Sequence, residues 1–230
     1  MRRRTIKSSG IALFFLLWVV PSALEAGRWD SKLERIEKKL EKGRWQDAKT
    51  ACLKIRRRLV SDADRSDLAL APAARTLVLQ AVAEAGLGRD EAARWYWLAA
   101  QSYLQGVPRL NLERFGRAGE LLENLTVEEL PEPWIAPASG ADEAYKKVQV
   151  RSARSPIFPD SINSSPKGAV RLEIVVGIDG RAHRPKILDA GPVPIAAFPV
   201  LDAVRTWRFE PARRGDRPIN VVYQLALGYP

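Results

Sequence analysis

Residues 168–180 read GAVRLEIVVGIDG, and this stretch decides the C-terminal part of the fold. Val170, Leu172, Ile174, Val176 and Ile178 alternate with Ala169, Arg171, Glu173, Val175 and Gly177. Apolar residues at every second position put one face of a strand on a core. Asp179-Gly180 follows, a dipeptide suited to a tight hairpin turn because Gly accepts positive φ. Residues 181–188 then read as the return strand. Pro185 inside it removes a ladder donor, which puts this strand at a sheet edge or a bulge. Gly191-Pro192-Val193-Pro194 breaks the chain. Residues 198–207 read as a helix, with Pro199 near its first turn and Leu201, Val204 and Trp207 facing inward. Gly215-Asp216-Arg217-Pro218 turns the chain, and Ile219, Val221, Tyr223, Leu225 and Leu227 alternate as a final strand.

Upstream the period changes from two to about 3.6. Leu33, Ile36 and Leu40 mark a helix over 31–42, which Gly43 ends. Trp45, Ala48, Cys52, Ile55 and Leu59 form a second apolar stripe. After the polar connector 61–66, Pro72 starts a third helix carrying Ala74, Leu77, Ala81 and Ala85. Asp90 caps a fourth, over 90–104, with Ala92, Trp95, Ala99 and Tyr103 on one face. A fifth, weaker pattern covers 112–125. The rings of Trp95, Tyr96, Trp97 and Tyr103 are too many for one inward face, so part of them meets another surface. Residues 131–155 are a Pro-rich linker and lead-in, stiff and short. The chain thus divides into residues 1–26, a helical domain 27–130, the linker 131–155, and a strand-rich domain 156–230.

Residues 1–26 read as an export signal: Arg2, Arg3, Arg4 and Lys7, an unbroken apolar run 11–20, Pro21, then small residues at Ser22, Ala23 and Ala26. The run is short for a bilayer span, which needs roughly 20 residues. Cleavage after Ala23 or Ala26 leaves a periplasmic protein; retention leaves a single N-terminal inner-membrane anchor, with membrane contact only through residues 11–20. Of the net charge of +10, residues 27–144 contribute nothing, with 19 basic and 19 acidic residues. Residues 145–230 carry 14 Lys/Arg against 7 Asp/Glu, which suits an anionic partner or a solvated basic face. The single cysteine, Cys52, has no internal disulfide partner, and its helical spacing implies burial.

The residues of common catalytic sites are sparse. His183 is the only histidine, so no zinc set or Ser-His-acid triad is recognisable. No phosphate-cradling glycine loop or nucleic-acid recognition motif is present. The expectation is a protein that is not an enzyme, needs no cofactor and does not bind nucleic acid.

Several elements in order resemble the TonB C-terminal domain. They are Ser155-Pro156-Ile157-Phe158-Pro159, the strand opened by Gly168-Ala169-Val170 and ended by Ile178-Asp179-Gly180, and Leu201-Asp202-Ala203-Val204 leading to Trp207-Arg208-Phe209-Glu210-Pro211-Ala212. Gly215-Asp216-Arg217-Pro218 before the last strand completes the set. The resemblance covers the last third of the chain and implies an α+β protein whose C-terminal part is a small ββαβ domain. Gly43-Arg44-Trp45-Gln46-Asp47-Ala48 and Gly88-Arg89-Asp90-Glu91-Ala92 resemble each other and, more distantly, tetratricopeptide helix pairs, the alternative being an unrelated helical-hairpin bundle.

The TonB resemblance implies a non-catalytic periplasmic protein that binds an envelope protein or an outer-membrane receptor peptide by strand addition, with a cell-wall component as a further partner. The alternative it implies is an energy transducer coupling an inner-membrane motor to outer-membrane receptors. Residues 11–20 carry no polar face, and the linker is short, which favours binding over motor work. The final strand is the expected partner edge. Its candidate residues are Ile219, Val221, Val222, Tyr223, Gln224 and Leu225, with Arg213, Arg214 and Arg217 steering an acidic segment.

Overall fold

A computed structural model describes residues 22–61, 70–103, 110–124, 133, 145–163 and 166–230. Of the expected export signal, residues 1–21 lie outside the described residues, as do nearly all of 131–144, while residues 22–26 belong to the first helix. The protein is α+β, with helices in the first part of the chain and small antiparallel sheets with short helices packed beside them in the second.

Helices α1 (Ser22–Glu41), α2 (Trp45–Ser61), α3 (Leu70–Gly86), α4 (Asp90–Tyr103) and α5 (Arg117–Asn124) follow one another. A 3-10 turn at Leu112–Phe115 precedes α5, and Gly116 at φ 52° separates the two. Gly43 and Gly88 both take positive φ where α1 and α3 end, which relieves a strain any Cβ would add. Helix α3 is apolar nearly all round, and α1, α2, α4 and α5 pack about it, so it is the core of this half. Trp45 lies flat on Gly86, where a Cβ would overlap the indole. Arg75 of α3 reaches Glu37 of α1 at 2.6 Å, and Lys49 of α2 reaches Glu84 of α3 at 2.8 Å. Ala48 and Ala92, the small residues of the two similar passages, are both buried.

The second half is built on the expected strand. It begins with β1 (Tyr145–Lys146), β2 (Gln149–Ser152) and the short helix α6 (Asp160–Asn163). Then come β3 (Gly168–Val176), β4 (Ala182–Asp189), α7 (Ala197–Val204), β5 (Arg208–Glu210), β6 (Arg213–Arg214), β7 (Arg217–Pro218) and β8 (Val221–Tyr229). The main sheet has the order β4-β3-β8, with β3 in the centre. Val170, Leu172, Ile174 and Val176 are fully buried and face Leu227, Leu225, Tyr223 and Val221 across the ladder. Ile178 falls outside the strand and is exposed, because the turn is wider than two residues: Gly177 donates to Arg181, and Gly180 to Gly177. Helix α7 starts and stops earlier than its apolar spacing suggests, and Trp207 follows it on the way into β5. Residues 145–152, which read as lead-in, form two strands instead: β1 pairs with β6, and β2 with β5.

The apolar interiors of the two halves adjoin and form one contiguous cluster. Helix α4 lies along β4, α6 against α2, and the 3-10 turn Pro194–Ala196 against α2 and α3. Ser161 of α6 donates to the carbonyl of Val60 in α2 at 2.7 Å.

Candidate functional site

The two edges of the main sheet differ. Strand β4 makes one edge, and three features close it. Pro185 has no N–H. The register slips twice against β3, and at the second slip Arg184 and Pro185 together oppose Ile174, a bulge that bends the strand. Helix α4 then covers the edge, and the amide of Ile187 donates to the Ser102 hydroxyl at 3.0 Å instead of to a further strand.

Strand β8 makes the other edge. It pairs with β3 over nine consecutive residues without a slip, from Gly168 opposite Tyr229 to Val176 opposite Val221. Among the described residues no strand lies on its outer side. In an antiparallel ladder successive residues point their N–H and C=O to alternate sides. Gly177 donates to Arg181, so Val176 turns its own groups away from β4 and toward Val221. The Ile187 amide, turned out to α4, gives the same parity at Leu172 and Leu225. The main-chain groups of Val221, Tyr223 and Leu225 are therefore spent on β3. Those of Val222, Gln224 and Ala226 face outward.

This parity sorts the residues expected from sequence. Val222 and Gln224 have outward amides and exposed side chains; Val222 is 40 % exposed. The Gln224 side chain donates through Nε2 to Glu173 at 2.9 Å across the solvent face of the sheet. Val221 is buried, and Tyr223 and Leu225 are half-buried on the core side, Tyr223 meeting Phe209 edge-on at 5.9 Å. Ile219 precedes the strand and donates to the Ala212 carbonyl at 2.9 Å. Arg213, Arg214 and Arg217 are exposed on the β6–β7 hairpin that leads into β8, and Gly215 at φ 61° makes its turn.

A polar cluster absent from the sequence reading joins the halves. Arg56 of α2, 4 % exposed, donates to Gln80 of α3 at 2.9 Å, to the Phe198 carbonyl at 3.1 Å and to Asp202 of α7 at 2.8 Å. Tyr96 of α4 donates to the other Asp202 oxygen at 2.9 Å. Burial, and then the Asp202 carboxylate, push the Tyr96 phenol up to about 12, so it is a neutral donor at ordinary pH. Burial pulls the Arg56 guanidinium down, but Asp202 and Tyr96 outweigh it and hold it charged. Sequence offers little signal, since Arg56 opens the run Arg56-Arg57-Arg58, which reads as a solvated face.

No protein-family model, curated protein or solved structure matches this chain.

Burial pushes the Cys52 thiol up to about 12, so at neutral pH it is a small apolar side chain and not a nucleophile. His183 is held by Asp179 at 3.0 Å beside the hairpin turn. Burial raises the Asp179 carboxyl, but the His183 and Arg181 hydrogen bonds outweigh it and leave it below the usual carboxylate range. Among the described residues no three ligating side chains cluster, and no helix is long and apolar enough to cross a membrane.

Proposed function

We propose that this is a TonB-family protein of the periplasm, exported by residues 1–26, that binds an extended segment of an envelope partner along the outer edge of β8. The observation that carries the proposal is the asymmetry of the sheet. One edge is closed by a proline, a bulge and a helix, whereas the other keeps a straight row of outward amides and carbonyls over Val222, Gln224 and Ala226. A long exposed edge is a template for pairing, and folds that do not use it blunt it. Among the described residues the blunting is confined to β4. Main-chain bonds to the partner supply affinity, and side chains at alternate positions supply selectivity. The arginine hairpin before β8 favours an acidic segment and makes its capture salt-sensitive. The likeness of residues 155–218 to the TonB C-terminal domain supports the same reading, and in it the helical half seals the unused edge.

Val222→Pro and Gln224→Pro each remove an outward donor and no main-chain bond to β3; Gln224→Pro also gives up the exposed side-chain bond to Glu173. Both variants are expected to stay folded and to lose the envelope protein that the wild type captures. Tyr223→Pro removes an inward donor and is expected to unfold the sheet. Folded Val222→Pro and Gln224→Pro proteins that retain the same capture would sink the proposal.

A further inference from the structure

On the closed side of the sheet the described residues enclose a cleft of about 440 Å³. Three sequence-distant segments build it: the first turns of α4, the start of β4, and the turn from α7 into β5. Arg94, Arg181, Arg184, Arg205 and Arg208 line it, against only two carboxylates, Asp90 and Glu91. Arg181 takes up Glu91 with bonds of 2.7 and 2.9 Å to its two oxygens. Arg205 stacks over the Tyr96 ring at 5.6 Å, and Arg208 donates to the carbonyls of Thr206 and Trp207. Neither pairs with a carboxylate among the described residues, so the cleft keeps an uncompensated positive field.

Two further features mark it as a built site. Arg184 is the one non-glycine residue with positive φ among the described residues, at 46°, on the β4 bulge. Strain of this kind persists only where its surroundings enforce it, and it collects at ligand sites. The indole of Trp95 contributes to the wall, and its buried N–H has no acceptor among the described residues. The volume lies in the range of small-ligand pockets. Guanidinium forks match the paired oxygens of tetrahedral oxyanions, and the N-terminus of α4 adds a positive dipole end.

We propose that this cleft binds a small molecule through a phosphate or pyrophosphate group, with Arg205 and Arg208 as its principal partners. It lies at the opposite edge of the sheet from β8 and does not depend on the strand-addition reading. Titration calorimetry of the full chain with inorganic pyrophosphate tests it. One saturable site is expected, weakened by added salt. Arg205→Ala/Arg208→Ala, both exposed positions, should weaken it by at least about tenfold. Glu91→Gln releases Arg181 and should tighten it. Phosphatidylcholine vesicles with and without phosphatidic acid separate the sources. Sedimentation that needs phosphatidic acid and yields to pyrophosphate assigns a lipid phosphate, and pyrophosphate binding without sedimentation assigns a soluble phosphate ester. The proposal falls if neither probe binds, if Arg205→Ala/Arg208→Ala binds as the wild type does, or if Arg213→Ala/Arg214→Ala on the β6–β7 hairpin causes the loss instead.

Discussion

A guanidinium as deeply buried as that of Arg56 persists only if its charge and its donors are answered where it sits. Asp202 answers the charge, while Gln80 and the Phe198 carbonyl answer further donors; Nε alone has no partner among the described residues. Asp202 itself is half exposed, so water can take over its solvation. The two ends of the pair are therefore unequal. Asp202→Ala leaves a buried cation without counter-charge and should cost about 2–3 kcal/mol. Arg56→Met removes the charge, keeps the bulk and leaves Asp202 hydrated and bonded to Tyr96, so it should cost less, about 1 kcal/mol. Urea unfolding of both variants measures the order. If Arg56→Met proves the costlier, the acceptors on Gln80 and Phe198, not the ion pair, hold this point of the structure.

At the scale of elements, Trp207 ties the end of α7 to the segment before α6. Its ring is buried beside Phe209 at 6.1 Å, and its Nε1–H donates to the Arg154 carbonyl at 2.9 Å. Trp207→Ala should destabilise the protein by about 3–5 kcal/mol in denaturant titration. A loss under about 1 kcal/mol would mean that the ring contributes little to packing and is free for a partner. The elements that sequence made legible share a cause. Strand β3, the stripes of α1 to α4 and the edge character of β4 each follow from a local pattern that one face or one proline imposes. The pairing of β1 and β2 was not legible, because these strands are short and mostly exposed and carry no alternation. Ile178 misled for the converse reason: it keeps the period of β3 past the point where the turn has begun. Of the β8 edge, the strand and its freedom could be read, but the division between inward and outward amides needed the register. The basic cleft was illegible because its arginines come from three separated segments, each of which alone reads as surface.

The relation between the two halves is a property of the whole molecule. Each half has an apolar interior of its own, around α3 in one and around β3 and α7 in the other. Composition marks a boundary between them, but the packing does not stop there. Helix α4 lies on β4, and Arg56, Tyr96 and Asp202 bind α2, α4 and α7 together. Cutting the chain in the linker would bare the amide of Ile187, the apolar side of α4 and the guanidinium of Arg56 at once. Expressed separately, 27–130 and 145–230 should each unfold cooperatively, because each keeps its interior. The second piece should melt below the intact chain and should self-associate through the uncovered β4 edge. Mixing the pieces should restore the higher melting temperature and a one-to-one complex, and Asp202→Ala in the second piece should weaken that recovery. Differential scanning calorimetry with analytical ultracentrifugation reads both effects. Pieces that melt as the intact chain does, and ignore each other when mixed, would make the contact between α4 and β4 energetically idle, and the closed edge of the sheet would then be as open to a partner as β8.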